Sequence, residues 1–176
     1  MGKVHRIHLG SGIYHWPGMD NVDAIGNPNV KADVRELEMY EDGSIDEVYA
    51  IHVFEHLPRL EVDGVLTEWC RILKPGGKLV MEMPSMDKIA DLIHNGERNV
   101  RLTLLGIFGD PRDKGPLMRH EWCWQRWELQ ELLERMGFDV EFVEPIYHIA
   151  ARDLRVIGVK NERTGTTTAT GPGNSG

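Results

Sequence analysis

The tightest constraint on this chain is the stretch Leu9-Gly10-Ser11-Gly12, taken with Asn21-Val22-Asp23 a little downstream. A short apolar segment over residues 4–9 runs into a glycine turn, and an acid closes the next short apolar segment. Glycine lets the backbone approach a ligand where a Cβ would clash, and it accepts the left-handed conformations of sharp turns. A carboxylate at the end of the neighbouring strand can accept hydrogen bonds from ribose hydroxyls. Strand, glycine turn, strand and acid make the order that builds a nucleotide-type pocket at the carboxyl edge of a parallel sheet. A glycine pair alone also reads as an ordinary tight turn, and Asp23 alone as a turn or capping aspartate. The weight therefore rests on the rest of the chain.

Residues 4–9 read as a first strand, 21–24 as a second, 30–32 as a short third and 45–51 as a fourth. Within 60–73, Val62, Val65, Leu66, Trp69, Ile72 and Leu73 recur at helical spacing. Lys74-Pro75-Gly76-Gly77 stops that helix, because proline cannot continue it and glycine accepts a left-handed turn. A strand over 79–83 follows, closed by Pro84. A second helix spans 125–136, with Leu129, Leu132, Leu133 and Met136 on one face and Gly137 as its cap. Segments 138–143 and 154–159 form a last strand pair joined like a hairpin. Strands alternating with helices and ending in a hairpin define an open, mostly parallel α/β sheet.

The spacing departs from a full doubly wound fold. Ten residues separate Gly12 from Asp23, whereas a dinucleotide fold places its acid about 20 residues beyond the glycines, after a whole helix. His15-Trp16-Pro17-Gly18 fills the gap and reads as a turn, and the next link, Gly26-Asn27-Pro28-Asn29, is shorter still. The helices of one sheet face are therefore expected to be missing or reduced. Ile7 and Leu9 alternate with Arg6 and His8, and Leu79, Met81 and Met83 with Val80 and Glu82, as in half-buried strands. Either residues 86–108 folding back or a second copy of the chain must cover that face, and a homodimer is the expectation.

At 176 residues, the chain suits a single domain over 1–160, with a disordered tail over 161–176 built from small polar residues. A net charge of −8 excludes a phosphate-tracking surface for long nucleic acids. Cys70 and Cys123 make no disulfide framework, which points to a reduced, cytoplasmic setting. No apolar run approaches the ~18 residues of a membrane span.

With the run Ile72-Leu73-Lys74-Pro75-Gly76-Gly77 added, the chain resembles the class I S-adenosylmethionine-dependent methyltransferases over roughly residues 3–160, as a small type 11-like member with shortened first crossovers. The resemblance implies a Rossmann-like sheet with one antiparallel strand near the C-terminus, and S-adenosylmethionine as cofactor. On that resemblance, Gly10, Ser11 and Gly12 hold the methionine end, Asp23 the ribose diol, and Asp33 the adenine amino group with Val34 against the ring. Ile51 and His52 border the cofactor, and Glu55 reaches the transferred methyl. His8 departs from the pattern, standing where the family carries an acid.

His52-x-x-Glu55-His56 also spells the inverted zinc-protease motif, which needs both histidines on one helical face. Here the run starts at a strand end and Pro58 follows within two residues, so no metal is expected. Trp122, Trp124 and Trp127 either wall an acceptor or pack the core, and at least one is expected in the core. His120 beside them is the better functional candidate. Methyl transfer from a sulfonium is an in-line displacement, and a hydroxyl or amine acceptor must also lose a proton, to Glu55, His52 or His120. A small molecule, a sugar or a polymer end fits as acceptor. The rival reading is a non-catalytic, cofactor-binding relative or a partner subunit. A nicotinamide enzyme would need glycine where His15 stands.

Overall fold

The computed structural model describes residues 4–110, 112 and 118–162. The remainder of the expected tail lies outside them. Seven strands form one sheet in the order β3-β2-β1-β4-β5-β7-β6. They are β1 (Arg6–Leu9), β2 (Asp20–Asp23), β3 (Val30–Lys31), β4 (Ile45–Ile51), β5 (Leu73–Pro84), β6 (Phe138–Val143) and β7 (Asp153–Lys160). All pairings are parallel except those of β7, which runs antiparallel to both β5 and β6. The order reverses between β1 and β4, the topological switch point at which open α/β sheets take their ligands.

One face of the sheet carries the core. Ile7, Leu9, Val48, Ala50, Leu79, Met81, Met83 and Val156 are buried there. They join one cluster with Val62, Val65, Leu66, Trp69 and Ile72 of α1 (Val62–Ile72). The later helix Arg126–Arg135 adds Leu129, Leu132 and Leu133 to that cluster. Between them in the chain lie α2 (Met86–His94) and α3 (Leu104–Phe108), which makes Arg126–Arg135 helix α4. The β3-to-β4 connection holds no helix, yet Leu37 and Tyr40 are buried in it. Arg71 of α1 fastens that connection by donating to the carbonyls of Leu37 and Tyr40 while paired with Glu68.

The Lys74-Pro75-Gly76-Gly77 run does more than end a helix. Strand β5 starts at Leu73, directly after α1, and its register against β4 shifts between Ile45 and Glu47. The run takes up this irregularity. A Cβ on Gly77 would lie 2.8 Å from the Lys74 carbonyl oxygen, so only glycine fits the tuck.

As the short spacings require, no helix joins β1 to β2 or β2 to β3. The face this exposes is covered differently from expectation. His8, Val80 and Glu82 are buried rather than half-solvated. Trp16, in the β1–β2 loop, stacks on His8 with ring centroids 4.1 Å apart and meets Tyr49 edge-on. Asn21 fixes that loop by accepting from the Trp16 amide and donating to its carbonyl. From the far side, the β6–β7 connection brings Tyr147 to within 4.7 Å of Trp16. The Ile146 and Tyr147 amides donate to the Glu82 carboxylate, and the Arg155 guanidinium lies over the Tyr147 ring. Two loops thus close over the centre of the face that has lost its helices. Within residues 86–108, α2 and α3 form, and the segment packs beside the start of β7, with Gly106 tight against Ile89 and Arg152 and the Arg101 carbonyl accepting from the Arg152 guanidinium. Among the described residues, no helix is long and apolar enough to cross a membrane.

Candidate active site

The predicted cofactor residues converge on the carboxyl edge of β1 to β4. Gly10 and Gly12 both adopt positive φ, +63° and +55°. The Gly12 amide donates to Asp23 Oδ2 at 2.7 Å, and the Ile25 amide to Oδ1 at 2.9 Å. The Ser11 amide donates to the Val22 carbonyl, while the buried Ser11 hydroxyl has no hydrogen-bond partner. The glycine turn and Asp23 are therefore one rigid unit, and each Asp23 oxygen keeps a lone pair for a further donor. An orphaned hydroxyl and a carboxylate with spare acceptor capacity suit a polar ligand at this edge.

Asp33 is brought to the same edge but faces a different partner. Its two oxygens take the Arg35 guanidinium at 2.9 and 2.7 Å. Those hydrogen bonds hold the Asp33 carboxyl below the usual carboxylate range. Val34 packs against the core, and its carbonyl accepts from the Trp69 indole. Ile51 ends β4, and the next residue, His52, donates its amide to the Glu82 carbonyl.

His52 has φ +53°, the only positive φ outside glycine among the described residues. Such a conformation costs of order 1–3 kcal/mol and persists where surrounding contacts over-determine it. Here two buried carboxylates do so: Nδ1 lies 2.8 Å from Glu55 Oε1, and Nε2 lies 3.2 Å from Asp153 Oδ2. Burial alone would push the imidazole down, but the two carboxylates win and raise it to about 9. Burial likewise works against the Glu55 charge, and the facing His52 overrides it, so Glu55 stays ionised. Asp153 also binds the Arg152 guanidinium and the Ile149 amide. The His148 ring stands 3.9 Å from that of His52. The sequence reading missed Asp153, His148 and Arg152, which lie about a hundred residues beyond His52 in the chain.

Glu55 lies on a 3-10 turn, Phe54–His56, and is fully buried. Its backbone carbonyl accepts from the amides of Glu121 and Trp122 at 2.8 and 3.2 Å, which delivers His120 to the same spot. Trp124 is core, stacked on Phe54, whereas Trp122 and Trp127 are largely exposed. The three proposed bases are thus neighbours: Glu55 in contact with His52, and His120 beside the turn. Buried and partly buried charges crowd this spot, where facing carboxylates and imidazoles move pKa values far.

His8 carries a pH dependence of its own. Burial lowers its pKa from the ordinary 6.5, so the folded chain keeps it neutral where the unfolded chain takes a proton. Its contribution to stability is complete above pH 6.5 and is lost as pH falls through the lower folded value. Urea unfolding is expected to show stability declining below pH 6.5, with a slope of up to about 1.4 kcal/mol per unit from this group. His8→Phe, which keeps the stack on Trp16, should flatten that slope, and an unchanged slope would assign it to other groups.

Comparisons with known proteins agree with this geometry. Residues 16–81 match the family described as Methyltransferase domain. Sterol 24-C-methyltransferase of Yarrowia lipolytica is 33% identical over 128 residues, covering 72% of this chain and 29% of that protein. The chain therefore spans less than a third of that relative's length. A SAM-dependent methyltransferase from Archaeoglobus fulgidus shares the fold with a TM-score of 0.60 at 18% identity, over 90% of this chain and 87% of its own. Burkholderia thailandensis 1,6-didemethyltoxoflavin-N1-methyltransferase, solved with bound S-adenosylhomocysteine, aligns with a TM-score of 0.61 at 16% identity, over 90% and 71%. These matches show a methyltransferase domain over residues 16–81 and, over 90% of the chain, the fold of S-adenosylmethionine-dependent methyltransferases.

Proposed function

We propose that the chain binds S-adenosylmethionine at the carboxyl edge of β1 to β4 and transfers its methyl group to a small-molecule, sugar or polymer-end acceptor. The observation that carries this reading is the Gly12–Asp23 unit at the switch point, a glycine turn held against a carboxylate that retains acceptor capacity. Gly10, Ser11 and Gly12 are assigned the methionine end and Asp23 the ribose. Asp33 serves the adenine only by sharing its carboxylate with Arg35. Val34, Ile51 and His52 border the bound cofactor. The cofactor supplies the activated methyl carbon. The chain's own task is to align the acceptor and to take its proton. Of Glu55, His52 and His120, the base is His120, kept neutral by burial. His52 already holds a proton between Glu55 and Asp153, and Glu55 stays ionised beside it. Incubation with methyl-labelled S-adenosylmethionine and a panel of hydroxyl and amine acceptors tests the reaction. Label in any acceptor supports it, and no label with a chain that binds the cofactor favours the non-catalytic reading.

That second reading has its own support in His8, which is buried and stacked on Trp16 at the position where the family resembled carries an acid. The cytoplasmic setting and a homodimer over the rest of the helix-poor face are carried with the proposal. Sedimentation at micromolar concentration tests the dimer, and a 20.0 kDa species would discard it.

A further inference from the structure

Next to the His52–Asp153 pair, the 3-10 turn and the segment after Met118 assemble a second cluster. Glu55 is fully buried, and neither of its oxygens accepts an aligned hydrogen bond. The 2.8 Å approach of His52 Nδ1 gives it charge but no bond of good direction. His56 Nδ1 lies 2.9 Å from the Arg119 carbonyl oxygen, and His120 Nδ1 lies 2.9 Å from the Gly106 carbonyl oxygen. A ring nitrogen facing a carbonyl carries the proton, so each imidazole is left with Nε2 as its free electron-pair donor. The two rings meet edge to face at 4.8 Å between centroids. One donor atom from each of Glu55, His56 and His120 lies within 4.8 Å of the other two.

We propose that Glu55, His56 and His120 bind a divalent first-row transition-metal ion of the zinc or iron(II) class. Two imidazoles and one carboxylate are the donor set such ions take when coordination positions stay open for another ligand. An Nδ1–H donated to a backbone carbonyl is the outer bond that fixes the tautomer and aim of a metal-binding histidine, and here both rings have it. The ion also answers the buried, poorly bonded Glu55 charge, which is otherwise expensive. Metal–donor bonds of about 2.1 Å need the three donors drawn closer by about an ångström, within reach of side-chain adjustment. A neighbouring set, His52, His148 and Asp153, is also close enough. It is the poorer site, because Asp153 is already engaged by Arg152, His52 and the Ile149 amide. The ligand set is not the one spelled by His52-x-x-Glu55-His56, since His120 stands in place of His52. With the ion bound, Glu55 and His120 are ligands rather than free bases. The proposal concerns binding and does not depend on methyl transfer.

The test is titration of the chelator-stripped chain with Zn²⁺ by calorimetry and with Co²⁺ by visible absorption. One equivalent is expected to bind at micromolar dissociation constant or tighter, with millimolar Mg²⁺ failing to compete. Losing an outer partner costs ten- to hundredfold in affinity, so losing a ligand in His120→Ala or Glu55→Gln should cost about a hundredfold or more. His148→Ala should bind as the unaltered chain does. His120→Ala, at a partly exposed ring, carries the test if the buried Glu55 variant fails to fold by circular dichroism. No stoichiometric binding by the unaltered chain would overturn the proposal. So would binding that survives His120→Ala, or binding lost in His148→Ala.

Discussion

Asp153→Ala is expected to destabilise the protein by about 3–5 kcal/mol, the range for breaking a buried ion pair from one side. Asp153 is fully buried and is shared by Arg152 and His52, themselves nearly or largely buried. Removing it leaves two cations facing each other's surroundings without a counter-charge, and strips the Ile149 amide of its acceptor. Urea unfolding with an unchanged slope against denaturant would isolate the stability change. A loss below about 1 kcal/mol would mean that the cluster relaxes to water. The pH dependence follows from the same contacts. Burial disfavours the Asp153 charge, but the hydrogen bonds from His52 and Arg152 hold its carboxyl down at about 2. Its contribution is present above the unfolded value of 3.8 and is lost as pH falls through about 2. His52, raised to about 9, works in the opposite sense: its contribution is full below 6.5 and is lost as pH rises through about 9. The cost of Asp153→Ala should therefore be widest between about pH 4 and 6.5, where both charges are fully present.

Gly10→Ala is the second large effect, at about 2–5 kcal/mol. A Cβ there would lie 2.3 Å from Val53 Cγ2, and φ is +63°. The left-handed conformation costs a non-glycine residue about 1–2 kcal/mol, and overpacking a filled core adds about 1–3. In a Val53→Ala background the packing part should vanish and leave about 1–2 kcal/mol. Equal costs in the two backgrounds would contradict the Val53 contact. The clash also says something about the motif itself: the first glycine is required by the chain's own valine, whatever ligand the turn holds.

The core half of the fold was legible because its periodicities are local. Strand β4 occupies 45–51 as read, and α1 and α4 follow their apolar spacing to within two residues at each end. The missing crossovers were legible too, since ten residues with Pro17-Gly18 leave no room for a helix and its turns. The burial of His8, Val80 and Glu82 was not, because their cover comes from Trp16 and Tyr147, more than a hundred residues apart in the chain. Helix α2 went unread although Ser85 accepts from the Lys88 amide as its cap, a signal the sequence does carry after Pro84. In the site, Gly12 and Asp23 were paired by the order of short strands. The partners of His52 and Glu55 were not, since β7 and the segment around His120 reach them only through tertiary contacts.

The central claim is that the carboxyl edge of β1 to β4 is a cofactor site, and calorimetric titration with S-adenosylhomocysteine tests it most directly. Micromolar binding is predicted, weakened about a hundredfold or more in Asp23→Ala, where the ribose loses its charged acceptor and the glycine turn loses its anchor. A chain that is folded by circular dichroism and releases no heat with the ligand would contradict the account.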